Sequence, residues 1–360
     1  MGKNNNIEEM LKEKAKLINQ RIEKYIPRLF REDSLIFKLN PPRYKIDLEA
    51  LNKAIAKPVW EFLDRGGKRW RPALFILVCE ALGADSEEFL DFAVIPEIVH
   101  NGTLIADDIE DSSKARRGKL CTYRLFGLDV AVNVSQSMYF LPMIILSEKK
   151  REISSEKARK LYEIHIQEMI NLSFGQAMDI AWHKGLIPAN EVTEEHYLQM
   201  CAFKTGTLAR MAAKMAAVLA DADEETVGKM GRLAESIGIA FQIQDDVLDL
   251  VGEQFAKGKG GLGMDITEGK LTLMIIHTLH KADPADKGDL LRILSMHTLN
   301  KAQREKAIEI IKKYGSIDYA KEFASKIVQE SWSEVDKILQ PSEAKEKLKT
   351  LAEYLIHRSI

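Results

Sequence analysis

Cysteine is scarce. Three residues in 360, Cys79, Cys121 and Cys201, are spaced too widely for a zinc site or a dense disulfide scaffold. An excess of either charge is also missing. The 52 Lys and Arg stand against 54 Asp and Glu, a formal net charge of −2, which argues against a bulk nucleic-acid binder. No run of 18 apolar residues occurs, so no transmembrane helix is expected. Met1-Gly2-Lys3-Asn4-Asn5-Asn6 has no apolar segment behind it and does not read as a signal peptide. Gly2 invites a myristoylation reading, which Asn6 in place of Ser or Thr argues against. Interdomain linkers and internal repeats are not found. These absences point to a soluble, reduced, cytoplasmic protein, and a chain that is 46% hydrophobic has ample material for a core.

What is present is helical periodicity. Residues 7–30 place Ile7, Met10, Leu11, Leu17, Ile18, Ile22, Tyr25, Ile26 and Leu29 three to four apart. Similar stripes recur at about 88–108, 155–183, 193–220, 225–251, 301–314, 316–339 and 342–357. Ser316 and Ser342 read as helix starts, and Pro96 should kink its helix unless the helix begins there. Sustained two-residue alternation is missing, and Asn101-Gly102 falls inside a helical stripe. Loops are expected at Asn40-Pro41-Pro42, Gly83 to Ser86, His183 to Asn190 and Gly258 to Gly263. The fold class is all-α, with an N-terminal extension at 1–45 and one large helical domain at 46–360.

Two acidic clusters stand out: Asp107-Asp108-Ile109-Glu110-Asp111 and Asp245-Asp246-Val247-Leu248-Asp249. On a helix, positions i and i+4 share a face, so Asp107 projects with Asp111 and Asp245 with Asp249. Like charges at that spacing repel, and a cation between them removes the repulsion. Both clusters follow apolar residues, unlike a solvated acidic face. Oxygen-only ligands suit Mg²⁺ or Mn²⁺, and Mg²⁺ favours a few carboxylates plus substrate phosphates.

Cations accompany the acids. Gly66-Gly67-Lys68-Arg69-Trp70-Arg71-Pro72 precedes an apolar helix, and Arg116-Arg117-Gly118-Lys119 follows the first acidic cluster. Guanidinium forks bind phosphate bidentately, and glycine lets backbone approach it. Singly, each is an ordinary basic turn. Beside a carboxylate cluster, a diphosphate site is the better reading.

From about Leu51 onward the chain resembles the trans-isoprenyl diphosphate (polyprenyl) synthases, most closely geranylgeranyl diphosphate synthases. The resemblance is carried by Gly66 to Pro72, Asp107 to Gly118, Gly175-Gln176 with Asp179, Lys204-Thr205-Gly206, Phe241 to Asp246, and Asp265 with Glu268-Gly269-Lys270. It implies a helical bundle around a central cavity, with both acidic motifs facing across its mouth. The implied metal ligands are Asp107, Asp108, Asp111, Asp245 and Asp249, and Asp246 and Lys204 join the catalytic set. Lys68, Arg71, His100 and Arg117 match the isopentenyl diphosphate site. Arg116, Lys204, Gln242 and Lys270 match contacts to the allylic diphosphate, with Thr205 supporting Lys204. His100 stands two helical turns before Asp107 and can face the same cavity. A homodimer or higher homo-oligomer is implied as well.

The resemblance also implies a chemistry: an allylic C–O bond breaks toward a carbocation, the isopentenyl double bond attacks it, and a proton is lost. Product length would be set below the first motif, at Gly102, Thr103 and Val99. No aromatic blocks that level, so at least twenty carbons are expected, with Tyr139 and Phe140 as candidates for a deeper floor. The chain departs from the pattern at Ala106, where many relatives carry His. Lys257 and Lys259 both qualify as the family's loop lysine, and Arg358 lacks a basic residue two positions later. The rivals are a longer-chain polyprenyl synthase and a regulatory subunit. A class I terpene cyclase is disfavoured, since its second motif usually reads Asn-Asp-x-x-Ser-x-x-x-Glu.

Overall fold

The structure, a computed structural model, describes residues 2–34, 42–252 and 261–357. Asn40 and Pro41 of the expected break, Lys257 and Lys259 of the glycine-rich loop, and Arg358 lie outside the described residues. The expected stripes are helices almost end for end. They fall into two compact units, Met1–Glu163 with Met215–Asp221, and Ile164–Lys214 with Ala222–Ile360.

The first unit holds α1 (Gly2–Tyr25), α2 (Leu48–Leu51), α3 (Lys57–Leu63), α4 (Trp70–Ala81), α5 (Leu90–Glu110), α6 (Thr122–Phe126), α7 (Leu128–Phe140), α8 (Met143–Lys149) and the start of α9 (Ser155–His183). Apolar on every side, α4 is buried all round from Trp70 to Cys79. It packs against α5, whose core face is Phe92, Ile95, Ile98, Val99 and Ile105. Each such side chain, fully buried, contributes about 1.5–3 kcal/mol. Pro96 lies inside α5, which begins at Leu90, so the Phe92 carbonyl loses its ordinary intrahelical donor.

The N-terminal helix docks on this core. Ile7, Leu11, Ile18, Ile22 and Tyr25 of α1 are buried, and α1 packs on α4 and α5. Leu17 and Leu29, also in the stripe, are exposed. The buried carboxylate of Asp91 in α5 accepts from Tyr25 Oη at 2.7 Å and Lys24 Nζ at 2.8 Å. Trp60 Nε1 donates to Ile26 O at 3.0 Å, just before Pro27 ends the helical path.

Two features were not expected. A two-stranded antiparallel hairpin pairs Ala115 with Leu120 and Arg116 with Lys119. Its turn residues Arg117 and Gly118 both have positive φ, 52° and 76°, as a type I′ turn requires. The second concerns α7 and α8: Leu128–Lys149 is long and apolar enough to cross a membrane. That stretch is broken by a turn at Leu141-Pro142. In addition α7 packs on α5, and Lys149 pairs with Asp91 at 3.3 Å.

The second unit holds most of α9, then α10 (Glu194–Cys201), α11 (Thr207–Leu219), α12 (Glu224–Val251), α13 (Met264–Glu268), α14 (Leu273–Lys281), α15 (Pro284–Ser295), α16 (Lys301–Lys313), α17 (Ser316–Asp336) and α18 (Glu343–His357). At its centre α12 packs against α17, α18 and the segment after α10. The side chains of Thr193, Asp223, Thr272, Asp283 and Asn300 cap helices, each worth about 1 kcal/mol. Ser342 caps as expected, taking the Lys345 amide at 3.1 Å. Ser316 opens its helix differently: its buried hydroxyl bonds Thr278 at 2.7 Å.

Candidate active site

In the first unit, α5 delivers the first acidic motif. The Asp111 amide donates to Asp107 O at 2.8 Å, so the two residues do share the last turn and its face. The helix stops at Ser112, which is left-handed with φ 52°. Asp108 points elsewhere and is fully buried. Its Oδ1 takes Arg116 Nε at 2.8 Å and NH2 at 2.7 Å, while Oδ2 makes no hydrogen bond. Burial pushes the Asp108 carboxyl up despite Arg116, and the Cys121 thiol lies against it. For Arg116, burial opposes the charge, but Asp108 outweighs it and the guanidinium is held more firmly protonated.

The basic turn before α4 forms one cluster with the hairpin. Gly66, Gly67 and Arg69 all have positive φ, leaving Lys68 at the exposed crest. Arg69 is buried and donates to Glu97 Oε1 at 2.8 Å, Leu63 O at 3.1 Å and Asn19 Oδ1 at 3.2 Å. Asn101 Nδ2 donates to Glu97 Oε1 at 2.9 Å, and Asn101 Oδ1 accepts from Arg117 NH1 at 3.3 Å. A Cβ on Gly67 would stand 3.1 Å from Arg117 NH2 and 3.2 Å from Arg69 NH1, pressing on both guanidiniums, and the φ of 147° there itself favours glycine. Arg65 pins the hairpin by donating to Arg116 O at 3.2 Å and Leu120 O at 2.8 Å.

The electrostatics follow. Burial lowers Arg71 to about 10, and its Nε has no hydrogen-bond partner. Burial and the neighbouring Arg69 lower Arg117 to about 10. His100 is held neutral, first by desolvation and then by Arg71, Arg117, Arg69 and Arg116. Four guanidinium groups thus surround one imidazole, and the buried Glu97 is committed to Arg69. So much buried positive charge in one place can take an anion.

In the second unit, α12 delivers the second motif. Asp245 is half-buried, while Asp246 and Asp249 are buried. Asp246 accepts from Tyr197 Oη at 2.7 Å and Gln242 Nε2 at 2.8 Å. Burial, together with the Asp265 charge, pushes the Asp246 carboxyl up. Asp249 Oδ2 takes the Asp265 amide at 3.0 Å, anchoring the segment that leads to Lys270. Lys270 itself pairs with Glu268 at 2.5 Å.

Lys204 sits on a π turn, Ala202–Gly206, between α10 and α11. Such turns are frequent at functional sites. Two glycines make it possible. A Cβ on Gly175 of α9 would lie 2.4 Å from Lys204 N, and one on Gly238 of α12 would lie 2.5 Å from Gly206 Cα. Lys204 Nζ reaches the buried Asp179 at 2.5 Å. Burial opposes the Asp179 charge, but Lys204 and Lys270 prevail and hold its pKa low. The Thr205 hydroxyl does not reach Lys204. It donates to Gln242 Oε1 at 2.8 Å, so Thr205, Gln242, Asp246 and Tyr197 form one hydrogen-bonded row.

The level below the first motif is not open at Gly102. A Cβ there would meet Met138 Cβ at 2.9 Å, Ser135 O at 3.1 Å and Tyr139 Cε1 at 3.1 Å. Gly102 is therefore where α7 closes on α5. Val99 is fully buried and Thr103 half-buried. Phe140 is 72% exposed, so its ring is not a packed floor in this chain.

Sequence reasoning missed Glu97, Asn101 and Asn19, and grouped Arg69 with the phosphate-binding cations of its turn. A signal was available, since Glu97, His100 and Asn101 are polar within an apolar stripe at helical spacing. Among the described residues, no three acidic, His or Cys side chains converge tightly enough to hold an ion by themselves. The donor set is all carboxylate, and the unbonded, buried Asp108 Oδ2 is an acceptor that a cation would satisfy.

Comparisons with known proteins place the chain in a family. The Polyprenyl synthetase family model matches residues 52–311. The chain is 38% identical to a short chain isoprenyl diphosphate synthase of Methanocaldococcus jannaschii, over 72% of this chain and 76% of that one. It is 32% identical to a geranylgeranyl diphosphate synthase of Saccharolobus solfataricus, over 85% and 91%. Among solved structures, geranylgeranyl pyrophosphate synthetase from Pyrococcus horikoshii aligns with a TM-score of 0.84 and 31% identity, covering 98% of this chain and 99% of that one.

Proposed function

The chain belongs to the polyprenyl synthetase family and is a trans-prenyltransferase, and from that premise we propose that it makes geranylgeranyl diphosphate. The condensation joins isopentenyl diphosphate head-to-tail to an allylic diphosphate: dimethylallyl, geranyl or farnesyl.

The observation that supports this reading best is the cationic cluster around neutral His100, close in sequence to the first acidic motif. Lys68, Arg71, His100 and Arg117 bind isopentenyl diphosphate. A neutral imidazole donates a hydrogen bond to phosphate without competing for the guanidinium charges. Arg116, Lys204, Lys270 and Gln242 orient the allylic diphosphate. Asp107, Asp108, Asp111, Asp245 and Asp249 would hold Mg²⁺, with the half-buried Asp107, Asp111 and Asp245 as its most accessible ligands. Bound Mg²⁺ would neutralise the diphosphate as it leaves. Asp246, held by Tyr197 and Gln242, fixes the face of α12 that carries Asp245.

In the reaction the allylic C–O bond breaks and its electron pair departs with diphosphate, toward the cationic side chains. The isopentenyl double bond then forms the new C–C bond, and a proton leaves to the released diphosphate. The chain supplies orientation and fixed charge and no nucleophile.

For product length, Thr103 and Val99 bound the path below Asp107, with Gly102 bringing α7 close. No aromatic side chain stands on α5 at that level, although the Tyr139 ring of α7 lies beside Gly102, and we read this as twenty carbons or more. A longer-chain product is the second reading, favoured by the exposed Phe140. We further assign the protein to the cytoplasm, where its three buried thiols stay reduced. We also assign it to a homodimer, because Ile166, Ile170 and Phe174 form an exposed apolar row on α9. The deciding experiment incubates purified protein with Mg²⁺, labelled isopentenyl diphosphate and each primer, and resolves products by chain length. Exclusive farnesyl diphosphate would refute the product assignment. No incorporation with any primer would favour a regulatory subunit.

A further inference from the structure

We infer that the N-terminal helix α1 is a working part of the isopentenyl diphosphate site, through Asn19 as the positioning residue for Arg69. This rests on the reading of Lys68, Arg71, His100 and Arg117 given above.

Arg69 is an unusual residue at the start of α4. It adopts φ 50°, ψ 35°, a left-handed conformation that is strained for a non-glycine residue. It stands between the two proposed phosphate ligands Lys68 and Arg71, and its backbone sets the direction of both. What holds it there is its side chain. Glu97 Oε1, Leu63 O and Asn19 Oδ1 each accept from a different guanidinium nitrogen. Glu97 and Leu63 belong to α5 and α3, within the region the family model covers. Asn19 lies outside it, on α1, and is half-buried.

With three acceptors the guanidinium plane has one orientation. The same plane borders Gly67 and, with Asn101 between, fixes Arg117. Remove Asn19 and the Nε hydrogen bond is lost on the side facing α1. Arg69 is then held only by Glu97 and Leu63 O, and the crest carrying Lys68 loses part of its support. Because each of its three guanidinium nitrogens already donates to the protein, Arg69 acts through its neighbours and does not contact substrate itself.

The test uses the full chain and measures steady-state kinetics for both substrates. Asn19→Ala should raise KM for isopentenyl diphosphate roughly three- to tenfold, as loss of one ordinary hydrogen bond implies. The allylic KM should stay within about twofold. Asn19→Asp keeps an acceptor for Arg69 and should return KM to near the parental value. A packing control is Lys24→Ala, which removes the 2.8 Å pair with Asp91 and loosens α1 away from Arg69. It should lower the melting temperature and leave KM for isopentenyl diphosphate unchanged. An unchanged KM in Asn19→Ala, an equal rise for both substrates, or a rise in Lys24→Ala would each overturn the inference. Lys68→Ala and Arg71→Lys test the underlying reading separately. If they raise the isopentenyl KM while Asn19→Ala does not, only the role of α1 falls. If they leave it unchanged, the site assignment falls with it.

Discussion

Gly238 and Gly206 touch backbone to backbone: a Cβ on Gly238 would stand 2.5 Å from Gly206 Cα. The contact holds the π turn of Lys204 against α12. Gly238→Ala should therefore destabilise the fold by about 1–3 kcal/mol through overpacking. The displaced turn should also move Lys204 from Asp179 and raise the allylic KM. Thermal melts and kinetics on the soluble variant check this, and a silent substitution would show that the turn yields freely.

The acidic motifs give the sharpest loss. Asp107→Ala and Asp245→Ala should each lower kcat by about 10³-fold or more, as removal of a charge-stabilising group in a closed site does. Chelation should abolish activity and Mg²⁺ restore it. Full turnover in either variant would refute the metal-site assignment.

Chain length is better probed at Thr103 than at Gly102. Gly102→Phe would drive a ring into Met138 and Ser135 O, and should lower stability by several kcal/mol. Thr103 is half-buried, with its hydroxyl turned to His100 O at 2.8 Å. Thr103→Phe should shorten the product while leaving most of the protein folded. An unchanged product would place the floor elsewhere.

Acid sensitivity should be traceable to His165, which burial pushes down to about 4. Its imidazole is neutral in the folded state and takes a proton readily once unfolded. Its contribution to stability is whole above pH 6.5 and declines as the pH falls toward about 4. By linkage the loss approaches about 3 kcal/mol. Replacing His165 by Gln should flatten the fall of melting temperature across that window. A parallel fall would assign the acid sensitivity to other groups.

The parts legible from sequence were those written in periodicity and composition. The long stripes became helices because burial of a one-sided apolar face requires it, and the paired Asp-Asp-x-x-Asp motifs stood out as charge on apolar helices. What escaped depends on atoms meeting across elements. Gly102 reads as empty space in sequence, yet α7 fills that space. The π turn at Lys204 looks like uninterrupted helix until Gly175 and Gly238 are brought against it. The hairpin was hidden in a basic run, where only Gly118 hinted at two left-handed residues. Arg69 looked like one more phosphate-binding cation, and only its three acceptors show it as a strut.

The buried thiols make the two motifs separately observable. Cys121 lies against Asp108, and Cys201 against Tyr197 and Asp246. Burial pushes both thiols up, Cys121 to about 12, so a maleimide finds almost no thiolate in the closed protein. Labelling must wait for local opening. The modification rate at Cys121 becomes a clock for the first motif, and the rate at Cys201 a clock for the second. Slowing of one clock and not the other on adding Mg²⁺ or a diphosphate would show which half each ligand fastens.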